Sequence, residues 1–143
     1  MVKKIIAKPH LFFFGLVPIF VFIGLINREK FININIDYFY FDIKINLLCY
    51  LSSIFLLLIG FNYFSLEWAN KKPRKILTIF HLVLQIISLI SFFILIFSIN
   101  TKGSFEIEIL NNYLFFLVSF LIFLLSVFIH LINFFTSLFL KTK

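Results

Sequence analysis

The sequence predicts an all-α membrane protein: a four-transmembrane-helix bundle, both termini cytoplasmic, with a short extended outer loop before the second helix. Three observations carry that expectation. The 143 residues are 62% hydrophobic and only 13% charged, with a mean hydropathy of +1.11, whereas soluble chains average about 25% charged residues. Four apolar segments, residues 11–26, 45–66, 76–99 and 111–140, approach or exceed the roughly 20 residues that cross a hydrocarbon core. Basic residues alternate in abundance between the two sides, nine of the 13 falling with the termini and the second loop. The positive-inside rule then places both termini in the cytoplasm. Residues 1–143 form one transmembrane domain, since the length permits a single bundle.

The first span, 11–26, is the shortest and borrows flanking residues. It follows Lys8-Pro9-His10, where proline fits a first helical turn because its missing N–H would be unpaired anyway. Gly15, Pro18 and Gly24 predict a kink or a close helix contact, both tolerated in membranes. Asn27-Arg28-Glu29-Lys30 stands where small residues would mark a signal-peptide cleavage site, so a retained anchor is expected. Residues 27–44 are too polar to span. "FININI" alternates Ile with Asn, a period-2 pattern, and predicts an extended segment along the membrane surface, with Tyr38 and Tyr40 at headgroup depth. The second span, 45–66, ends in "EWANKKPRK", a basic turn with Trp68 at the interface and Pro73 before the third helix. The last span, 111–140, is long enough to require tilt or projection beyond the hydrocarbon.

Several chemistries find no material. The basic residues are scattered between apolar spans and form no stripe for a phosphate backbone, so no nucleic-acid partner is expected. Cys49 is the single cysteine; neither an intrachain disulfide nor a thiolate metal site can be built. Every carboxylate falls in a loop or at the end of a span, where a proton relay or cation-coupled transporter would bury one. No Gly-rich phosphate loop, HExxH or nucleophile elbow occurs.

Ionisable residues inside the bilayer are functional candidates by default, and here they are His81 and His130. Two histidines on facing helices are a ligand set for haem b, with His10 as an alternative ligand. At about 1.5 Å per residue, His81 lies roughly 8 Å inside its span and His130 roughly 15 Å, a mismatch that counts against shared ligation. The competing expectation is that the imidazoles bond neighbouring helices, for which Ser88, Ser91, Ser126 and Asn133 are available.

Residues 36–64 carry a resemblance. "DYFYFDIKINLLCYLSSIFLLLIGFNYF" is similar to the helix of haem-copper oxidase subunit I that contains the AHFH element. Asp37 and its aromatics match the start, and Gly60-Phe61-Asn62-Tyr63 matches the Gly-Phe-Tyr-Tyr near the end. "IFHLVLQIISL" resembles the next helix of that family, where His81 matches a histidine that is not a haem ligand, and Asn112-Tyr113 resembles the start of the last core helix. The resemblance implies that residues 37–140 correspond to three consecutive C-terminal helices of the oxidase subunit. Its two haem-ligating histidines fall on Lys44 and Asn46, degenerate positions: a protonated Lys has no lone pair for iron and an amide is a poor ligand. What it implies is oxidase-like architecture without the redox centres. The expected function is therefore a non-catalytic structural or accessory subunit of an inner-membrane complex, with lipid and other membrane subunits as partners, no catalytic residues, no metal and no cofactor. A small b-type haem protein using His81 and His130 is the alternative.

Overall fold

The computed structural model describes residues 8–36, 39–101 and 107–139, with the side chains of 33–40 and 97–113 outside that description. Asp37 and the side chains of Tyr38 and Tyr40, expected at headgroup depth, lie outside the described residues, as does Lys102. In chain order the elements are α1 (Pro9–Ile26), β1 (Phe31–Ile36), β2 (Phe39–Lys44), α2 (Ile45–Trp68), α3 (Lys75–Thr101) and α4 (Ile107–Phe139). All four helices are long and apolar enough to cross a membrane, and the chain is a multi-pass protein of the lipid bilayer.

The all-α expectation requires one correction. The extended outer segment is a two-stranded antiparallel hairpin, with Phe31 opposite Lys44 and Ile36 opposite Phe39. Pairing satisfies backbone groups that a lone extended segment would leave to the solvent. The ladder ends in two ties. Ile45 N donates to Lys30 O at 3.0 Å, and the Lys44 ammonium lies 5.6 Å from the centroid of the Phe31 ring on the opposite strand, within cation–π range. Ile32 is buried under the sheet, so the hairpin closes one end of the bundle. The opposite end carries Lys71, Lys72, Arg74 and Lys75 and is here termed the basic end.

α1 starts with Pro in its first turn and keeps Pro18 inside, which leaves the Phe14 carbonyl without an amide donor. Its last turn is closed by Asn27, whose Nδ2 and backbone N both donate to Ile23 O, at 2.9 and 3.1 Å. α2 ends in a Schellman motif: Lys71 N donates to Leu66 O at 2.8 Å and Asn70 N to Glu67 O at 3.0 Å. Asn70 takes φ 55° to make the turn, a left-handed conformation that asparagine tolerates. Pro73 then stands before α3, where it cannot extend α2.

The helices pair as two hairpins, α1 with α2 and α3 with α4. α1 and α2 approach at two glycines. A Cβ on Gly24 would lie 2.9 Å from the Tyr50 ring and 3.1 Å from Cys49 Cβ, and one on Gly60 would lie 2.6 Å from the Phe14 ring. Glycine at such contacts lets apolar helices pack backbone to side chain without a hydrophobic driving force. Gly15 makes no such contact, with nothing within 4 Å of its would-be Cβ, so the close approach expected in α1 falls on Gly24. Aromatic stacking joins the two hairpins. Phe13 of α1 lies parallel to His81 of α3, centroids 5.0 Å apart, and Phe20 stacks on Phe92 at 5.7 Å. The outward faces are Phe and Leu: Phe22, Phe61, Phe80 and Phe128 are each at least half exposed, as a lipid-facing surface requires.

Candidate functional site

The interior holds a seam of polar side chains between apolar walls. On α3 it runs through Thr78, His81, Gln85 and Ser88, and on α4 through Ser119, Ser126, His130, Asn133 and Ser137, all buried. Steps of three, four and seven residues keep each set on one helix face. Two helices that are apolar outside and polar where they meet are thereby zipped by hydrogen bonds that lipid cannot replace.

At the seam's deeper end Ser88 and Ser119 are reciprocally bonded, each hydroxyl donating to the other's carbonyl at 3.0 Å. In the middle, Ser126 Oγ lies 3.2 Å from both His81 O and Gln85 Oε1. Toward the basic end Asn133 spends its whole amide. Its Oδ1 accepts from Arg74 N at 2.9 Å, and its Nδ2 donates to Thr78 Oγ1 at 2.9 Å and to Tyr63 OH at 3.4 Å. The Lys71 ammonium donates to Leu138 O, one of the carbonyls that the last turn of α4 leaves unpaired.

α2 enters through two consecutive residues. Successive helical positions differ by about 100°, so Asn62 and Tyr63 reach different partners. Asn62 Nδ2 is 3.2 Å from His130 Nε2, and Tyr63 OH is 2.9 Å from His81 Nδ1. Donor roles follow from the network. Asn133 donates to the Tyr63 oxygen, which frees the phenol proton for His81 Nδ1. The Asn62 amide donates to His130 Nε2. In this scheme both imidazoles are neutral and carry their protons on His81 Nε2 and His130 Nδ1, two buried nitrogens that have no hydrogen-bond partner among the described residues.

The two histidines that the sequence singled out are therefore adjacent, with ring centroids 4.9 Å apart and planes at 34°. The depth mismatch expected between them does not keep them apart, for two reasons. α4 overshoots the start of α3, since Arg74 N meets Asn133 rather than the helix end. Side chains also lean toward the N-terminus of their own helix; on antiparallel α3 and α4 this tilts His81 toward the basic end and His130 away from it. Haem b does not fit between them as they stand. Axial ligation by two imidazoles places the macrocycle between the rings, and these rings are in contact with each other, with Phe13 stacked on His81 and Tyr63 4.7 Å from His130.

His10 is not part of the seam. It lies under the basic end with Nδ1 3.1 Å from Glu67 Oε2, without hydrogen-bond alignment, and Lys8 Nζ is 3.4 Å from the other oxygen of the same carboxylate. Lys44 and Asn46 stand at the opposite end. Asn46 Oδ1 accepts from Leu47 N at 2.7 Å, satisfying one of the unpaired donors of the first turn of α2. From Asn46 to Tyr63 is about 25 Å along the helix, so Lys44 and Asn46 and the histidine pair are separate places. Of the serines and asparagine expected to partner the imidazoles, Ser126 bonds the His81 backbone, and none bonds a ring. Thr78, Gln85, Ser119 and Ser137 are the members that sequence reasoning passed over, and Asn62 and Tyr63 entered it only through the resemblance. The signal available for them was their polarity within otherwise apolar runs, with Thr78 and Gln85 also in helical step with His81.

Tyr63→Phe keeps the ring and removes the hydroxyl from two bonds. Its expected cost is about 1 kcal/mol, near the 0.6 kcal/mol average for one interhelical bond in a membrane taken twice. Reversible unfolding in mixed detergent–SDS micelles measures it; a cost equal to that of an exposed control such as Phe61→Leu would show the hydroxyl to be idle.

Comparison of the chain with protein-family models, with curated proteins and with solved structures finds no match.

Proposed function

We propose that the chain is a non-catalytic accessory or structural subunit of an inner-membrane complex, oriented with both termini in the cytoplasm and of oxidase subunit I-like ancestry. One observation carries the scaffold role: polar side chains of the interior tie α2, α3 and α4 together, with Asn133 alone bonded to groups of α2, α3 and the loop between them. An interior bonded in this way fixes helix positions. The surface left for other molecules is apolar and aromatic, with Phe115, Phe120, Phe128 and Phe135 of α4 all exposed, which suits partner helices as it suits lipid. The ancestry rests on the motif over residues 36–64, where Lys44 and Asn46 occupy the ligand positions. The orientation rests on the distribution of basic residues.

Isolation of the full chain from its native membrane in a mild detergent, followed by mass spectrometry of what co-purifies, tests the proposal. The expected result is a constant set of other membrane subunits in fixed proportion. Recovery as a lone monomer under several mild detergents would overturn the accessory role. A haem absorption band abolished by His81→Ala with His130→Ala would overturn the non-catalytic reading.

A further inference from the structure

At the deeper end of the seam, on the side of the hairpin, all four helices contribute to a half-open pocket that encloses about 90 Å³. Its walls are apolar and rich in phenylalanine, and four polar side chains interrupt them: Ser52 of α2, Gln85 and Ser88 of α3, and Ser119 of α4, of which the last two donate to each other's carbonyls. Gln85 is 1% exposed. Its Oε1 shares the one Ser126 hydroxyl proton with His81 O, and among the described residues neither its amide N–H₂ nor the Ser52 hydroxyl makes a hydrogen bond. Gln85 lies ten residues into α3, about 15 Å from the start of the helix and so near the middle of the bilayer. At that depth no water stands by to satisfy an amide donor. Leu51, Phe55 and Phe120 line the pocket while being 49%, 38% and 47% exposed, so its mouth opens sideways, toward lipid, between α2 and α4.

From this geometry we infer that the pocket binds one carbonyl edge of a flat, membrane-soluble ring compound, the chemistry of a quinone. The two vacant donor groups call for an acceptor oxygen, the phenylalanine walls favour a ring over a polar headgroup, and the lateral mouth admits a ligand dissolved in the membrane. Size limits the depth of insertion. A dry cavity of about 150 Å³ accommodates a whole benzene, so 90 Å³ takes the carbonyl edge and leaves the remainder among Leu51, Phe55 and Phe120. Phospholipid ester carbonyls stay at headgroup depth and do not reach Gln85; an acyl chain would fill the mouth but offer the donors nothing.

The test is calorimetric titration of the full chain in nanodiscs with 1,4-naphthoquinone, against naphthalene and against empty nanodiscs. Saturable naphthoquinone binding is expected, about fivefold tighter than naphthalene, as one hydrogen bond to a buried acceptor provides. Gln85→Leu should weaken naphthoquinone about two- to threefold and leave naphthalene binding unchanged. Because Gln85 also holds Ser126, Ser52→Ala serves as the second variant: Ser52 makes no bond that the fold needs, and its loss should weaken naphthoquinone about two- to threefold. Equal affinity for the two ring compounds, unchanged in both variants, would identify a crevice for acyl chains and overturn the inference. So would naphthoquinone uptake no greater than that of empty nanodiscs.

Discussion

Asn133→Leu should destabilise the bundle by about 3 kcal/mol, the largest effect of any single polar replacement in the seam. The substitution keeps the branched outline of the side chain but removes an acceptor from Arg74 N and donors from Thr78 Oγ1 and Tyr63 OH. Three interhelical bonds at the membrane average of about 0.6 kcal/mol account for roughly 2 kcal/mol of this. The remainder comes from the partners left behind, since a buried polar group without a bond costs about 1–3 kcal/mol. Arg74 N lies near the basic end and can turn to water, which keeps the total toward the lower part of that range. Thr78 retains its own bond to Arg74 O at 3.0 Å. The network also fixes the sign of the coupling: Thr78→Val or Tyr63→Phe should cost less in the Asn133→Leu background than alone, because the shared bond is already gone. Equilibrium unfolding in SDS mixtures measures all five variants. A cost below about 1 kcal/mol, with the partner substitutions additive, would mean that Asn133 is not the junction of the three segments.

The four long helices were legible because nothing else explains apolar runs of that length, and Pro9 and Asn27 mark the ends of α1 as local chemistry predicts. The hairpin was half legible. Alternation in "FININI" shows that β1 is extended, but "FYFDIK" carries aromatics on successive positions and "DY" is not an Asn-Gly type turn, so pairing had no sequence signature. The histidines could be named but not placed. Their meeting depends on how far α4 overshoots α3 and on the opposed lean of side chains on antiparallel helices, both properties of the assembled pair. Tyr63 and Asn62 drew attention only through a resemblance, although their polarity one turn from the end of α2 was itself a sign of contact. Gln85 was overlooked because an uncharged amide does not register as an ionisable group, yet it obeys the same rule that buried polar groups need partners.

Glycine contacts offer a test of the other hairpin. Gly60→Ala should destabilise the α1–α2 pair by about 2 kcal/mol, within the range for overpacking a tight contact. The added Cβ would sit 2.6 and 2.7 Å from two atoms of the Phe14 ring, well inside contact distance. Phe14 has limited freedom to retreat, since its ring is edge-on to Phe61 at 5.4 Å and to His10 at 6.1 Å. Larger side chains should do worse, with Gly60→Leu at or beyond about 3 kcal/mol. Two comparisons separate the contact from the helix propensity of alanine, which alone favours the substitution by up to about 1 kcal/mol. Gly15→Ala meets nothing within 4 Å and should be neutral or stabilising. In a Phe14→Ala background, where the ring is gone, Gly60→Ala should lose its penalty. If Gly60→Ala instead matched Gly15→Ala in unfolding midpoint, α1 and α2 would have to meet elsewhere. The stacking of Phe13 on His81, through which α1 reaches the seam, would then lose its structural basis, because Phe13 and Phe14 are carried by the same turn.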